Sequence, residues 1–305
     1  MDLGMLYRRT MECWAVRVNA VGDDHWDNPT PCTEWTVRDV VNHVVGEDRW
    51  TVPLMRGRTI ADVGDSLDGD LVGDHPIVAA LAAAAEAEST VVEMLPVGGK
   101  VNLSYGEEDM GEYVRQLAAD HLVHAWDIAA ATGGDTRLET ALVVEVARWF
   151  AGREEVYRSA GAIGPRASLT GDAQHDLLAG FGRSADWGPN HAALARFSAA
   201  FGRGDVEAIM GLMTDDCVFE STGPAPDGVR HEGASDVRRV WAELFEKTTD
   251  AAFTEEESFV CGDRAVLRWR FTWTEPDGSP GGVRGADVLR LRGGKVAEKL
   301  SYVKG

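Results

Sequence analysis

Along the first 160 residues, apolar positions recur every three to four residues, the period of helices with one buried face. Residues 2–19 form the first such stretch. NPTPCTEW then reads as a loop, and Thr36 is placed to cap a helix running to about Met55, with Asp39 at its third helical position. IADVGDSLDGDLVGD is rich in Gly and Asp and reads as loop, after which Asp74 and Pro76 start an Ala-rich helix to about Leu95. RQLAADHLVHAWDIAAATG, residues 115–133, reads as one helix stopped by Gly133, with Met110, Tyr113, Leu117 and Ile128 as inward positions. A further helix is expected over 138–157. Long helices with polar connections predict an all-α four-helix bundle.

Between 159 and 189 the helical period fades, and GRSADWGPN is the expected boundary between a bundle at 1–188 and a second domain at 189–305. Beyond it, residues 190–213 read as helices broken at Gly202 and Asp205, with another helix near 237–247. DCVFES, SFVCGDRAVLRWRFTWT and GADVLRLRGGKVAEKLSYV alternate as strands do. Trp269, Phe271 and Trp273 alternate with Arg268, Arg270 and Thr272, giving one aromatic and one polar face. The order predicts an α+β domain. Its aromatic face suits a plain core or the wall of a ligand cavity.

Composition narrows the partners. A formal charge of −20 opposes binding to a phosphate backbone or an anionic membrane, and the expected partner is a small molecule. No stretch has the length and apolarity of a membrane span. MDLGMLYRRTMECW lacks the pattern of a secretory signal, and four singly placed cysteines suggest neither a disulfide framework nor a CxxC metal site. Reduced thiols in the cytoplasm are the expectation.

The candidate chemistry lies on the 115–133 helix. Asp120 and His124 are four apart, so an oxygen and a nitrogen can meet at one point on nearly the same face, with Asp127 flanking the stripe. A third ligand must come from another helix, and His43 in VVNHVVGEDRW, sharing its face with Val40, Glu47 and Trp50, is the natural choice. His121 is an alternative to Asp120. Two imidazoles and a carboxylate leave coordination positions open, as catalysis at a divalent metal requires. The competing reading is an ordinary exposed ion pair beside a core histidine.

The segments PCTEWTVRDVVNHVVGE, DHLVHAWDIAAATG and LTGDAQHDLLAGFGRSADW resemble the DinB-like family that includes mycothiol-dependent maleylpyruvate isomerases, over about residues 5–188. The resemblance implies a four-helix bundle with a divalent metal, commonly zinc, on His43, Asp120 and His124. It casts Trp126 as a packing residue and Asp127 as a support behind the ligands or for the helix. It further implies a low-molecular-weight thiol such as mycothiol, its sulfur activated by the metal. In such isomerases the thiolate adds to a cis alkene conjugated to a carbonyl, the former double bond rotates, and the thiol leaves. Other members transfer the thiol to an electrophile.

HAALARFSAAFGRGDVEAIMGLMTDDCVFES, HEGASDVRRVWAELF and the final strand pair resemble the SnoaL-like branch of the nuclear-transport-factor-2-like superfamily, over about 190–303. That implies an α+β cone, a curved antiparallel sheet wrapped by helices, with an apolar pocket and, as in many relatives, homodimerisation through the sheet. Ketosteroid isomerase shares the fold and needs an Asp base with acidic and Tyr donors. Here Ser221 falls near the base position with Glu220 facing the other way, and Asp287 falls at the buried acid. Trp269, Phe271, Trp273 and Ser221 are the expected substrate contacts. Asp216 is expected in a helix-to-strand turn, and His231 as a cap for the following helix. Three functions compete: thiol chemistry at the bundle's metal, cyclase, isomerase or hydratase chemistry in the cone, and non-enzymatic binding of a metal, thiol or metabolite. Completeness favours the first, since all three metal ligands are present whereas the cone lacks its base.

Overall fold

A computed structural model describes residues 1–304 except Thr33, Thr248 and Pro276; Thr33 falls within the loop expected from NPTPCTEW. The chain divides into two compact units, Met1–Trp187 and Gly188–Gly305.

The first unit is built on helices α1 (Leu3–Asn19), α2 (Val37–Met55), α4 (Pro76–Met94) and α5 (Met110–Thr132), with a single turn α3 (Ile60–Val63) between α2 and α4. Thr36 opens α2 through a capping box: its hydroxyl accepts from the Asp39 N–H while Asp39 accepts from the Thr36 N–H. Gly133 closes α5 at φ 74°, a left-handed conformation that an L side chain rarely adopts. Helix α5 packs against α1 and α2. It is buried on nearly every side, and Leu117, Leu122 and Ile128 are fully enclosed, each contributing about 1.5–3 kcal/mol. Trp126 is enclosed as well, a packing residue.

The remaining parts of this unit differ from the sequence reading. Residues 100–109 form a hairpin, β1 (Lys100–Leu103) with β2 (Gly106–Asp109), before α5. His75 rather than Asp74 stands at the start of α4, and Pro76 alone sets its first turn. The helix expected over 138–157 is two, α6 (Thr140–Phe150) and α7 (Glu154–Ser159). They are separated at Ala151, Gly152 and Arg153, where Gly152 carries the backbone-entropy cost of a helical glycine. A further helix, α8 (Ala173–Gly180), occupies the stretch where periodicity fades. Its Asp172 cap accepts from the N–H groups of Gln174 and His175, and Leu177 and Leu178 anchor it in the core.

The second unit starts with α9 (Pro189–Gly202) and α10 (Val206–Gly211) and continues through β3 (Met213–Glu220), β4 (Arg230–Glu232) and α11 (Ala234–Lys247). Four long strands complete it: β5 (Thr249–Cys261), β6 (Arg264–Thr274), β7 (Pro280–Arg292) and β8 (Lys295–Val303). The sheet order is β4-β3-β8-β7-β6-β5, antiparallel except for the parallel pair β3–β8. Register shifts interrupt the ladders of β3, β5 and β7, and such bulges bend a sheet. Helices α9 and α11 pack on it, closing an aromatic core around Phe197, Phe201, Phe219, Trp241 and Trp269. Two glycines make room for the ring row of β6. Trp269 pairs across the ladder with Gly285 and Trp273 with Gly281, and a Cβ at either glycine would run into the indole opposite. Asp216 lies within β3 rather than in a turn, its carboxylate paired with Arg292 of β7.

Candidate metal centre

The α-helical period places Asp120 and His124 one turn apart on α5, and α2 brings His43 to them. One ligand atom from each of the three lies within 4.8 Å of the others. His43 Nε2 is 3.3 Å from Asp120 Oδ2, and His124 Nε2 is 3.4 Å from Asp120 Oδ1. The imidazole of His124 is held from behind: its Nδ1 donates to Asp127 Oδ2 at 2.9 Å. Asp127 is fully buried and also accepts from Arg183 Nη2 at 2.8 Å and Nε at 3.2 Å. With the Nδ1 proton engaged, the Nε2 of a neutral His124 turns a bare lone pair toward the Asp120 carboxylate. Two lone pairs facing each other at that distance repel unless a cation stands between them. A divalent metal or a proton meets that need, and two nitrogens with one carboxylate oxygen are donors suited to zinc.

Electrostatics express the same competition. Burial would raise the Asp120 carboxyl, but the attraction of His124 and then His43, with their hydrogen bonds, holds it well below the usual carboxylate range. Burial would lower His124, but Asp120 and Asp127 outweigh it and push the imidazole up to about 9. For Asp127, burial is likewise outweighed, first by Arg183, and the carboxyl falls below its ordinary value.

His121 does not join this group. Its Nε2 is 2.9 Å from Asp48 Oδ1, both side chains are enclosed, and its ring meets Tyr7 edge-on at 5.5 Å. One position along the helix turns it to a different neighbour, so the group that converges is His43, Asp120 and His124, without His121.

The three residues sit in the wall of a cavity of about 370 Å³ that also includes Trp35, Glu47, Tyr113, Tyr157, Cys32 and Arg183. Exposure is uneven: the side chain of His124 is 7% exposed, those of His43 and Asp120 29% and 30%, so the centre is reached from the latter side. Trp35 covers both imidazoles, its ring centroid 5.0 Å from that of His43 and 6.1 Å from that of His124. Burial, reinforced by Asp120, raises the Glu47 carboxyl. Burial raises the Cys32 thiol too, although Arg183 pulls the other way. Trp35, Cys32 and Arg183 are absent from the sequence-based site. They reach it from loops, where no helical spacing marks them.

In the second unit, Trp269, Phe271, Trp273 and Ser221 all line a separate cavity of about 320 Å³. Asp287 does not. It lies behind the wall, its Oδ1 accepting from Ser301 Oγ at 2.7 Å and 2.9 Å from Lys299 Nζ, and those two residues face the cavity instead. On β7 it pairs in register with Ser301, so its neighbour's side chain stands between it and the space. Ser221 spends its hydroxyl on the Gly223 carbonyl and the Val229 N–H, and Glu220 lies 3.8 Å from Arg230. His231 meets the carboxylate of Asp236, in the first turn of α11, at 2.9 Å instead of capping backbone N–H groups. Its ring stacks on Phe219 at 6.0 Å.

Among the described residues, no helix is long and apolar enough to cross a membrane. Residues 7–129 match the family model of the mycothiol maleylpyruvate isomerase N-terminal domain, and residues 194–299 match that of the SnoaL-like domain. Two curated relatives from Mycobacterium tuberculosis strains are similar: the uncharacterized proteins MT0763 and Rv0738. Each is 33% identical over 145 residues, 48% of this chain and 75% of the relative. Among solved structures, an NTF2-like protein of unknown function from Mesorhizobium loti is 37% identical, covering 38% of this chain and 92% of its own, with a TM-score of 0.34. A putative polyketide cyclase from Sinorhizobium meliloti is 23% identical, covering 36% and 92%, with a TM-score of 0.30. By its family models and its curated relatives, this chain belongs to the mycothiol maleylpyruvate isomerase N-terminal domain family, joined to a SnoaL-like domain in one polypeptide.

Proposed function

We propose that the protein is a divalent-metal-dependent enzyme, zinc being the metal, which uses a low-molecular-weight thiol of the mycothiol type to isomerise a small electrophile or to transfer the thiol to it. The observation that carries this reading is the convergence of His43 Nε2 and His124 Nε2 on the two oxygens of Asp120, in the wall of a cavity of about 370 Å³. A divalent cation bound there supplies Lewis-acid activation, holding a thiol as its thiolate near neutral pH. His43, Asp120 and His124 would hold the ion, and all three line the cavity. Asp127 and Arg183 fix the tautomer and tilt of His124 through the 2.9 Å and 2.8 Å contacts. Glu47, in the same wall and raised by burial, retains a proton that the thiol releases and returns it when the adduct collapses. Trp35 and Tyr113 exclude water from the reacting sulfur.

The balance of the isomerisation is simple. The sulfur would form one bond to the alkene carbon β to a carbonyl as the C=C π pair shifts to the carbonyl oxygen, the resulting C–C single bond would rotate, and return of that pair would restore the alkene and break the same C–S bond, so no oxidant or reductant is needed. In transfer, the C–S bond persists and the carbonyl-bearing product keeps the proton. The test is metal analysis of purified protein followed by thiol consumption and cis–trans conversion of conjugated cis-enoyl acids. Mycothiol, glutathione and cysteine are compared as thiols. The expected result is about one equivalent of zinc and turnover that requires both metal and thiol. A metal-free protein that refuses added zinc, or full activity without thiol, would refute the reading.

A further inference from the structure

A cavity of about 510 Å³ in the first unit shares no wall residue with the one beside the metal centre. Its wall comes from the end of α2, the segment that follows and α4. Local sequence makes this space. Pro53 has no N–H to give the Arg49 carbonyl four residues back, so the last turns of α2 lack one bond. Gly57 then turns the chain at φ 82°, and the Thr59–Asp62 capping box fixes it again at α3. Ala82 and Ala83 of α4 are small enough to leave room, and with Val52, Val63 and Leu67 they make much of the lining apolar.

Three arginines share that wall: Arg49, Arg56 and Arg58. One carboxylate, Glu86, accompanies them, which leaves an excess of two positive charges in a chain whose net charge is −20. Elsewhere arginines meet acids closely, as Arg38 meets Asp70 and Arg183 meets Asp127. Here Arg49 Nη2 donates to the Leu71 carbonyl at 3.1 Å, and Arg58 donates to the Asp62 carbonyl. Arg56 comes only within 3.7 Å of Glu93, with both side chains more than half exposed, a pairing of little weight. The carboxylate of Asp62, the acid nearest to Arg58 in sequence, is engaged by the N–H and hydroxyl of Thr59 at 2.8 Å. A guanidinium has five N–H groups, and these contacts use at most one on each.

We infer that this cavity binds an organic phosphate monoester, its phosphate among the three guanidiniums and its apolar body against the alanines and the residues beside them. Charge selects the head group. A phosphate monoester carries about −1.5 to −2 at pH 7 and matches the local excess, whereas a carboxylate offsets only half of it. Shape agrees, because each planar guanidinium can give parallel N–H bonds to phosphate oxygens. The apolar lining selects an ester over free phosphate, which would leave that surface wet. Arg49 is positioned in advance. Asn42 bonds both the Gly69 carbonyl and the Leu71 N–H, and so pins the loop whose Leu71 carbonyl receives Arg49. Neither a metal nor a thiol takes part, so this site stands apart from the chemistry at the metal centre.

The test titrates the full-length, zinc-loaded protein by calorimetry with 1-naphthyl phosphate, 1-naphthaleneacetate, 1-naphthol and inorganic phosphate. The naphthyl phosphate is expected to bind at least about tenfold more tightly than naphthol, as hydrogen bonds from charged donors warrant. It is expected to exceed inorganic phosphate by at least about tenfold through apolar burial, and to bind more tightly than the acetate. Arg56 and Arg58 are exposed, so Arg56→Met with Arg58→Met should leave the fold intact. In that double variant the preference for naphthyl phosphate over naphthol is expected to fall below about threefold, with zinc content unchanged. A shifted loop would weaken both probes alike and leave this ratio standing. If the double variant binds no probe, the ranking in the unaltered protein decides. A phosphate bound at the zinc instead would keep its preference in the double variant. That persistence, equal or tighter binding of the acetate, or failure of naphthyl phosphate to bind overturns the inference.

Discussion

Metal loading must displace a proton from His124. In the metal-free protein that imidazole is pushed up to about 9, because Asp120 and Asp127 overcome the effect of burial. A metal needs the Nε2 lone pair that the proton occupies. Below pH 9 each unit of acidity therefore costs a factor of ten for that one proton, so at pH 7 the apparent affinity is about 100-fold below its limit. Zinc titrations from pH 6 to pH 8 should show log K rising by about one per pH unit for this group. Calorimetry at pH 7 in buffers of differing ionisation enthalpy should register release of about one proton from it. The sign reverses for the stability of the metal-free protein. A histidine raised on folding stabilises fully below its unfolded value of about 6.5, and that contribution is lost as pH rises through 9, on the order of 3 kcal/mol. Metal-free protein should thus melt lower at pH 9.5 than at pH 6, while zinc binding strengthens over the same interval. A zinc affinity flat from pH 6 to pH 8, with no proton release, would refute the opposed lone pairs of His124 and Asp120 as the origin of the site.

His121→Ala leaves Asp48 as an unpaired buried carboxylate and should destabilise the bundle by about 3–5 kcal/mol in denaturant titrations, yet zinc content in the folded protein should persist. His43→Ala and His124→Ala should each lose most of the zinc, as measured by metal analysis after dialysis. Arg183→Met removes the partner that keeps Asp127 ionised behind His124, and zinc affinity should fall about 10–100-fold in competition with a chromophoric chelator. Gly285→Ala presses a methyl group into the Trp269 indole and should cost the second unit about 1–3 kcal/mol, visible in its melting transition, with zinc content unaltered.

The parts that obey a period were the legible ones. Asp120 and His124 follow from a helical repeat, the start of α2 from the Thr36–Asp39 pairing, and the aromatic face of β6 from strict alternation at Trp269, Phe271 and Trp273. His43 needed more: the face it shares with Val40, Glu47 and Trp50 makes it the natural candidate, but no spacing ties it to a distant helix, and family resemblance supported the choice. What escaped depends on tertiary contact. Arg183 reaches Asp127 across 56 positions of sequence, and Trp35 settles over the imidazoles from a loop. Helix α8 is short and stabilised mainly by its Asp172 cap and two leucines, too few apolar positions to make a period. Asp287 is placed at the buried acid by resemblance, which marks a position on the strand but not that Ser301 and Lys299 stand between it and the cavity.

The shared carboxylate of Asp127 has a bearing on how this fold can be cut and recombined. One of its partners is His124 on α5 and the other an arginine beyond α8, whereas the family match stops at residue 129. A transplanted piece ending with α5 would carry His43, Asp120 and His124 and still leave His124 free to swivel, with a bare anion at its back. The smallest portable module is therefore set by the hydrogen-bond chain rather than by the stretch of recognisable sequence, and it extends through Arg183.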